Sequence, residues 1–114
     1  MTKGIKKTLE VVFYKHVNGG EPVKEWLLSL PRADRKTIGT DIKTAEFGWP
    51  VGMPLIRKLE PKLWEVRTDL DKRIARVLFT IKGKHMVLLH GFIKKSQNTP
   101  SDDKKLARNR MKKL

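Results

Sequence analysis

Between Leu63 and Lys95 the apolar residues alternate with polar ones in the period of a β-strand. LWEVR, RIARVLFTI and HMVLLHGFIKK read as three successive strands, joined by turns at Asp69-Leu70-Asp71-Lys72 and Lys82-Gly83-Lys84. In the first, Trp64 and Val66 share one face and Glu65 and Arg67 the other. In the second, Ala75, Val77, Phe79 and Ile81 make an apolar row, with Arg76, Leu78 and Thr80 turned away from it. The third is apolar on both faces until His90, Phe92, Lys94 and Lys95. If the apolar rows cover a core, then Glu65, Arg67, Arg76, His90 and the terminal lysines meet on an open face, as a cationic pocket holding one carboxylate.

Upstream, Leu9 to Tyr14 is rich in β-branched and aromatic residues and predicts a strand that ends at Asn18-Gly19-Gly20. Pro22 suits a first helical turn, and Val23, Trp26, Leu27 and Leu30 follow at helical spacing. Pro31 restarts the chain into a second helix, whose buried side carries Ile38, Ile42 and Ala45 and which stops before Gly48-Trp49-Pro50. A loop then leads to a short edge strand, Ile56 to Glu60. Its charges protect the edge or form the pocket rim, and Lys58 is assigned to the rim. After the third core strand, Thr99 reads as a helix cap with Pro100 in first position. Asp102 and Asp103 suit the helix start, and Arg108, Arg110, Lys112 and Lys113 its end. Ala107, Met111 and Leu114 mark its packed side, leaving Lys104, Lys105 and Arg108 to meet phosphates. The order strand, helix, helix, strand meander, helix predicts an α+β fold.

At 114 residues, one domain spanning 1–114 is expected. The absence of cysteine excludes disulfides and thiolate metal sites and points to the cytoplasm; three scattered histidines propose no metal, and no cofactor is implied. No apolar run reaches the length of a membrane span, and MTKGIKK lacks the apolar segment of a signal peptide. The net charge is +14, and it is uneven: residues 1–56 hold 9 Lys and Arg against 6 Asp and Glu, residues 57–114 hold 17 against 6. Positive charge gathered around the pocket favours a nucleic-acid partner over an acidic protein.

PVKEWL, LWEVR, RIARVLF and above all VLLHGFIKKSQNTP resemble the RelE/HigB superfamily of toxins from type II toxin–antitoxin systems, in its phage-derived HigB-like branch. The resemblance runs from about Leu9 to the closing helix. It implies a RelE-like microbial ribonuclease fold, with an antiparallel sheet, two N-terminal helices on one face and a C-terminal helix. It also implies a ribosome-dependent endoribonuclease that cuts messenger RNA and inhibits translation, held by a cognate helix-turn-helix antitoxin in a hetero-oligomer. Its catalytic positions fall on Arg67, Arg76, Lys94 and Lys95. No aromatic residue follows the basic pair, where Ser96, Asn98 and Thr99 stand, so the general acid is left unassigned.

The chemistry needs a 2′-hydroxyl to lose a proton, the phosphorane charge to be stabilised and the 5′-oxygen to be protonated. Arg67 and Arg76 can donate forked hydrogen bonds to phosphoryl oxygens, and one preorganised donor is worth roughly 3 kcal/mol, about a hundredfold in rate. Glu65, His90, Lys94 and Lys95 remain for proton transfer. His90 reads equally as a satisfied histidine on an apolar strand, and Glu65 as a salt-bridge partner of Arg67. Two other functions fit the same residues: a basic nucleic-acid-binding protein without catalysis, and a phage-related protein that binds an acidic partner.

Overall fold

In the computed structural model, which describes residues 8–94 and 99–114, the sheet is built outward from the three strands that the alternation marks. In chain order the elements are β1 (Glu10–Phe13), α1 (Pro22–Ser29), α2 (Arg32–Gly48), β2 (Ile56–Glu60), β3 (Leu63–Leu70), β4 (Arg73–Lys82), β5 (His85–Lys94) and α3 (Ser101–Met111). The strands lie in the order β1-β5-β4-β3-β2. This is the expected α+β layout, consistent with a RelE-like fold.

Two turns are tighter than the polar runs around them. β3 continues through Asp69 and Leu70, so Asp71 and Lys72 alone make the first. Gly83 opens the second at φ +61, a left-handed value that favours glycine. The expected antiparallel sheet is corrected at one edge. β1 pairs in parallel with β5, placing Glu10 beside His85 and Phe13 beside Leu88. That pairing joins segments more than seventy residues apart in number, and local periodicity carries no sign of strand direction. The edge N–H of Val11 is satisfied from α2, by the buried Glu46 Oε2 at 2.8 Å.

α1 and α2 cover one face. Val23, Ile38, Ile42 and Ala45 pack with Val66, Ala75, Val77, Phe79, Met86 and Leu88 in the main core. Trp26 lies over Gly91, where a Cβ would sit 2.4 Å from the indole ring, so the glycine of the LHGFIKK motif lets α1 approach the sheet. A register shift in β5 then places Leu88 opposite Phe79 and His90 opposite Leu78, with Leu89 as the extra residue. Because of that bulge Leu89 and His90 both meet the second face.

The second face is not open. α3 lies across it, over a smaller core of Tyr14, Leu63, Leu78, Val87, Leu89 and Ala107, with Phe92 and Met111 at its margin. Ala107 is the one fully buried residue of α3. At about 0.8 kcal/mol per buried CH2, the Ala107 side chain contributes little, and Met111 and polar ties add to it.

Candidate functional site

Strand register assembles the site. Arg67 on β3 stands opposite Arg76 on β4, which stands opposite Phe92 on β5. One row along, Arg57, Glu65, Leu78 and His90 are aligned, and beyond the arginines Asp69, Ile74 and Lys94 form the next row. Alternation therefore brings Arg57, Glu65, Arg67 and Arg76 to the face that α3 partly covers. Like charges directly opposite one another destabilise a sheet, and here the Glu65 carboxylate pairs with two of the guanidinium groups, those of Arg57 and Arg76.

That carboxylate is fully enclosed. Glu65 Oε1 lies 3.7 Å from Arg76 Nη1, and Oε2 lies 3.4 Å from Arg57 Nε. The Thr99 hydroxyl donates to both Glu65 oxygens, at 2.7 and 3.1 Å, and accepts from Arg76 Nη1 at 2.9 Å. Glu65 and Arg76 are each 0% exposed, and Thr99 is 8% exposed. The open pocket expected around Glu65 and Arg76 is thus corrected to a buried ion network, because Thr99 at the foot of α3 closes over it. Thr99 is corrected as well: it makes no side-chain cap, Pro100 takes the cap position, and its hydroxyl turns inward.

Burial pushes the Arg76 guanidinium below its ordinary pKa, Glu65 pulls it back up, and Arg67 and Arg57 lower it further. A guanidinium so far from neutrality at the outset stays charged at pH 7. Glu65, surrounded by donors, holds these cations in place and has no open path to a substrate proton.

His90 is also held from α3. Its Nε2 is 2.6 Å from Asp103 Oδ1, and its ring stacks on Phe92 with centroids 5.4 Å apart. Arg67 is half-buried, with its Nε shut off from solvent, and lines a cleft with Thr37, Asp41, Pro54, Leu55, Asp69 and Ile74. Lys94 is exposed at the end of β5, while Lys95 lies outside the described residues. No group of three His, Asp or Glu able to hold a metal ion occurs among the described residues.

Residues 25–112, which include every residue of this network, match the family described as "Phage derived protein Gp49-like (DUF891)". The chain belongs to this family. It is a family of RelE/HigB-like toxin type, in agreement with the resemblance carried by LHGFIKK. No curated protein matches the chain. Among the described residues no helix is long and apolar enough to cross a membrane.

The Gp49-like chain carries the other expected contacts in three different settings. Lys58 is corrected in position: it pairs with Trp64, on the face opposite Glu65, and its ammonium lies 5.9 Å from the Trp64 ring centroid. Its neighbour Arg57 reaches the network instead. Lys104 is half-buried and Lys105 exposed, as are Lys112 and Lys113. Arg108 and Arg110 also have partners within the protein: Arg108 Nη1 donates to Glu60 Oε2 at 2.8 Å, and Arg110 Nη1 donates to the Leu89 carbonyl at 2.7 Å beneath the Tyr14 ring. Burial lowers the Arg110 pKa, with Tyr14 opposing. Leu114, expected on the packed side, is 42% exposed, because α3 ends at Met111 and leaves it beyond the sheet.

Arg57, Thr99, Asp103 and Phe92 complete the site; the sequence leaves Arg57 between edge protection and rim and sets Phe92 beside His90, and it gives Thr99 and Asp103 no sign of a role there. The parity of Arg57 and Glu65 is legible in the sequence once β2 is paired with β3. Nothing local points Thr99 or Asp103 inward, since both suit an ordinary helix start.

Proposed function

We propose that this chain is the toxin of a type II toxin–antitoxin pair, a single-domain cytoplasmic endoribonuclease that cuts messenger RNA on the ribosome without a metal. A helix-turn-helix antitoxin would hold it in a hetero-oligomer. Membership of a toxin-type family supports the class, and one observation carries the chemistry: Arg67 opposite Arg76, with Arg57 alongside and Glu65 buried between Arg57 and Arg76. Such a cluster costs stability unless an anion offsets it, and a phosphodiester is an anion that guanidinium groups match.

In this reaction the 2′-oxygen gives its proton to a base and bonds to phosphorus. The phosphorus–5′-oxygen bond breaks, and an acid protonates the leaving oxygen. Products are a 2′,3′-cyclic phosphate and a 5′-hydroxyl. Arg67, at the cleft, contacts the phosphoryl oxygens. Arg76 acts from behind it, adding fixed positive potential from a low-dielectric interior. Glu65 and Thr99 position Arg76. Proton transfer falls to Lys94, to Lys95 and to His90 with its Asp103 partner.

The complete burial of Arg76 and Glu65 favours a second reading, in which the basic surface binds nucleic acid and cuts nothing. Single-turnover reactions on programmed ribosomes separate the two. The enzyme reading expects message cut by the wild type and cut about a hundredfold more slowly by Arg67→Ala; intact message with salt-sensitive binding supports the second.

A further inference from the structure

We propose that the cleft beside Arg67 is a base-recognition site that prefers nucleobases bearing an amino group over uracil. This rests on reading the arginine row as a phosphate site, and it concerns the base attached to that phosphate. The cleft encloses about 570 Å³, within the range of pockets that hold small organic ligands. It opens where β2 stops: the Arg67 backbone N–H donates to the Leu55 carbonyl at 2.8 Å, and β3 continues to Leu70 without β2 beside it.

Its walls are of two kinds. Leu55, Pro54 and Ile74 offer flat apolar surface for a ring, while Thr37, Asp41 and Asp69 offer polar groups. Arg67 belongs both to this lining and to the cross-strand arginine pair, which puts the cleft next to the phosphate site. Beside the cleft, Arg73 on β4 ties the sheet to α2 by a two-point contact with Asp34, at 3.2 and 3.3 Å, one residue from Ile74 and one helical turn from Thr37.

The carboxylates decide the ligand. In a chain of net charge +14, Asp41 and Asp69 stand in this cleft with no side-chain hydrogen bond or ion pair among the described residues. Carboxylates repel phosphate, so their use beside a phosphate site is to accept N–H bonds. Guanine, adenine and cytosine present amino groups to such acceptors, and single-stranded RNA exposes those edges. Uracil presents one N–H between two carbonyls, which a carboxylate opposes.

The test uses the full chain and the nucleoside 5′-monophosphates GMP, AMP, CMP and UMP, titrated separately while methyl resonances of Leu55 and Ile74 are followed by NMR. UMP is expected to bind about tenfold more weakly than the amino-bearing nucleotides, as losing a hydrogen bond to a charged group predicts. Asp69→Ala and Asp41→Ala, at positions whose side chains have no structural partners, are expected to erase that difference. Equal affinity for all four nucleotides, or shifts that leave Leu55 and Ile74 unmoved, overturns the inference. Because this readout needs no cleavage, selective binding by a protein that cuts no message removes the nuclease reading and keeps the cleft. Cleavage without selective binding does the reverse.

Discussion

Thr99 Oγ1 lies 2.7 Å from Glu65 Oε1, across thirty-four positions of sequence, and it is the point at which the closing helix is fastened to the charged heart of the sheet. A threonine hydroxyl has one proton to give and lone pairs to receive. Here the proton goes to Glu65 and a lone pair accepts from Arg76, so both ions keep a hydrogen bond in a place that water does not reach.

Thr99→Val should therefore destabilise the protein by about 1–3 kcal/mol, the cost of leaving buried polar groups short of partners. Thr99→Ser, which keeps the hydroxyl, should lose much less. Urea unfolding of the two variants checks this, and equal stability would mean that the hydroxyl is not what fastens α3.

Glu65→Gln should cost more, about 3–5 kcal/mol, since it leaves the buried Arg76 charge without its compensating carboxylate. The same unfolding measurement applies. A stability equal to wild type would show that water or another group satisfies Arg76.

Gly91→Ala places a methyl where the Trp26 ring already stands, with a Cβ-to-ring distance of 2.4 Å before any adjustment. Overpacking of this kind costs about 1–3 kcal/mol. Combining it with Trp26→Leu should recover part of the loss in a thermal melt, because the steric conflict is then removed from the other side.

The basic residues of α3 divide into two groups. Replacing exposed Lys105, Lys112 and Lys113 with alanine should leave stability nearly unchanged and flatten the salt dependence of RNA binding, by about 0.7 in log–log slope for each single-strand phosphate that a lysine no longer neutralises. Arg108→Ala and Arg110→Ala should instead loosen α3 from Glu60 and from the Leu89 carbonyl, lowering stability. Unfolding curves and a salt titration distinguish them.

The local part of the fold is legible in the chain. Alternation is a property of neighbouring residues, so the rows Ala75-Val77-Phe79-Ile81 and Glu65-Arg67 appear in the fold as the sequence has them. Helical spacing places Ile38, Ile42 and Ala45 under α2 for the same reason. What alternation does not say is whether anything covers the second face. Arg76 is visible as the residue opposite the apolar row, but its burial depends on Thr99, which reads as an ordinary helix cap until α3 is laid across the sheet. Lys58 and Arg57 show the same limit. Their opposite orientations follow from adjacency, yet which of them meets Glu65 is settled by the pairing of β2 with β3.

Whether the arginine row cleaves RNA is decided by single-turnover cutting of message on programmed ribosomes at saturating protein. The wild type should cut, Arg67→Ala should cut about a hundredfold more slowly, and Lys94→Ala should cut more slowly at unchanged affinity. Uncut message with the folded wild type, or a full rate from Arg67→Ala, would contradict cleavage by the arginine row.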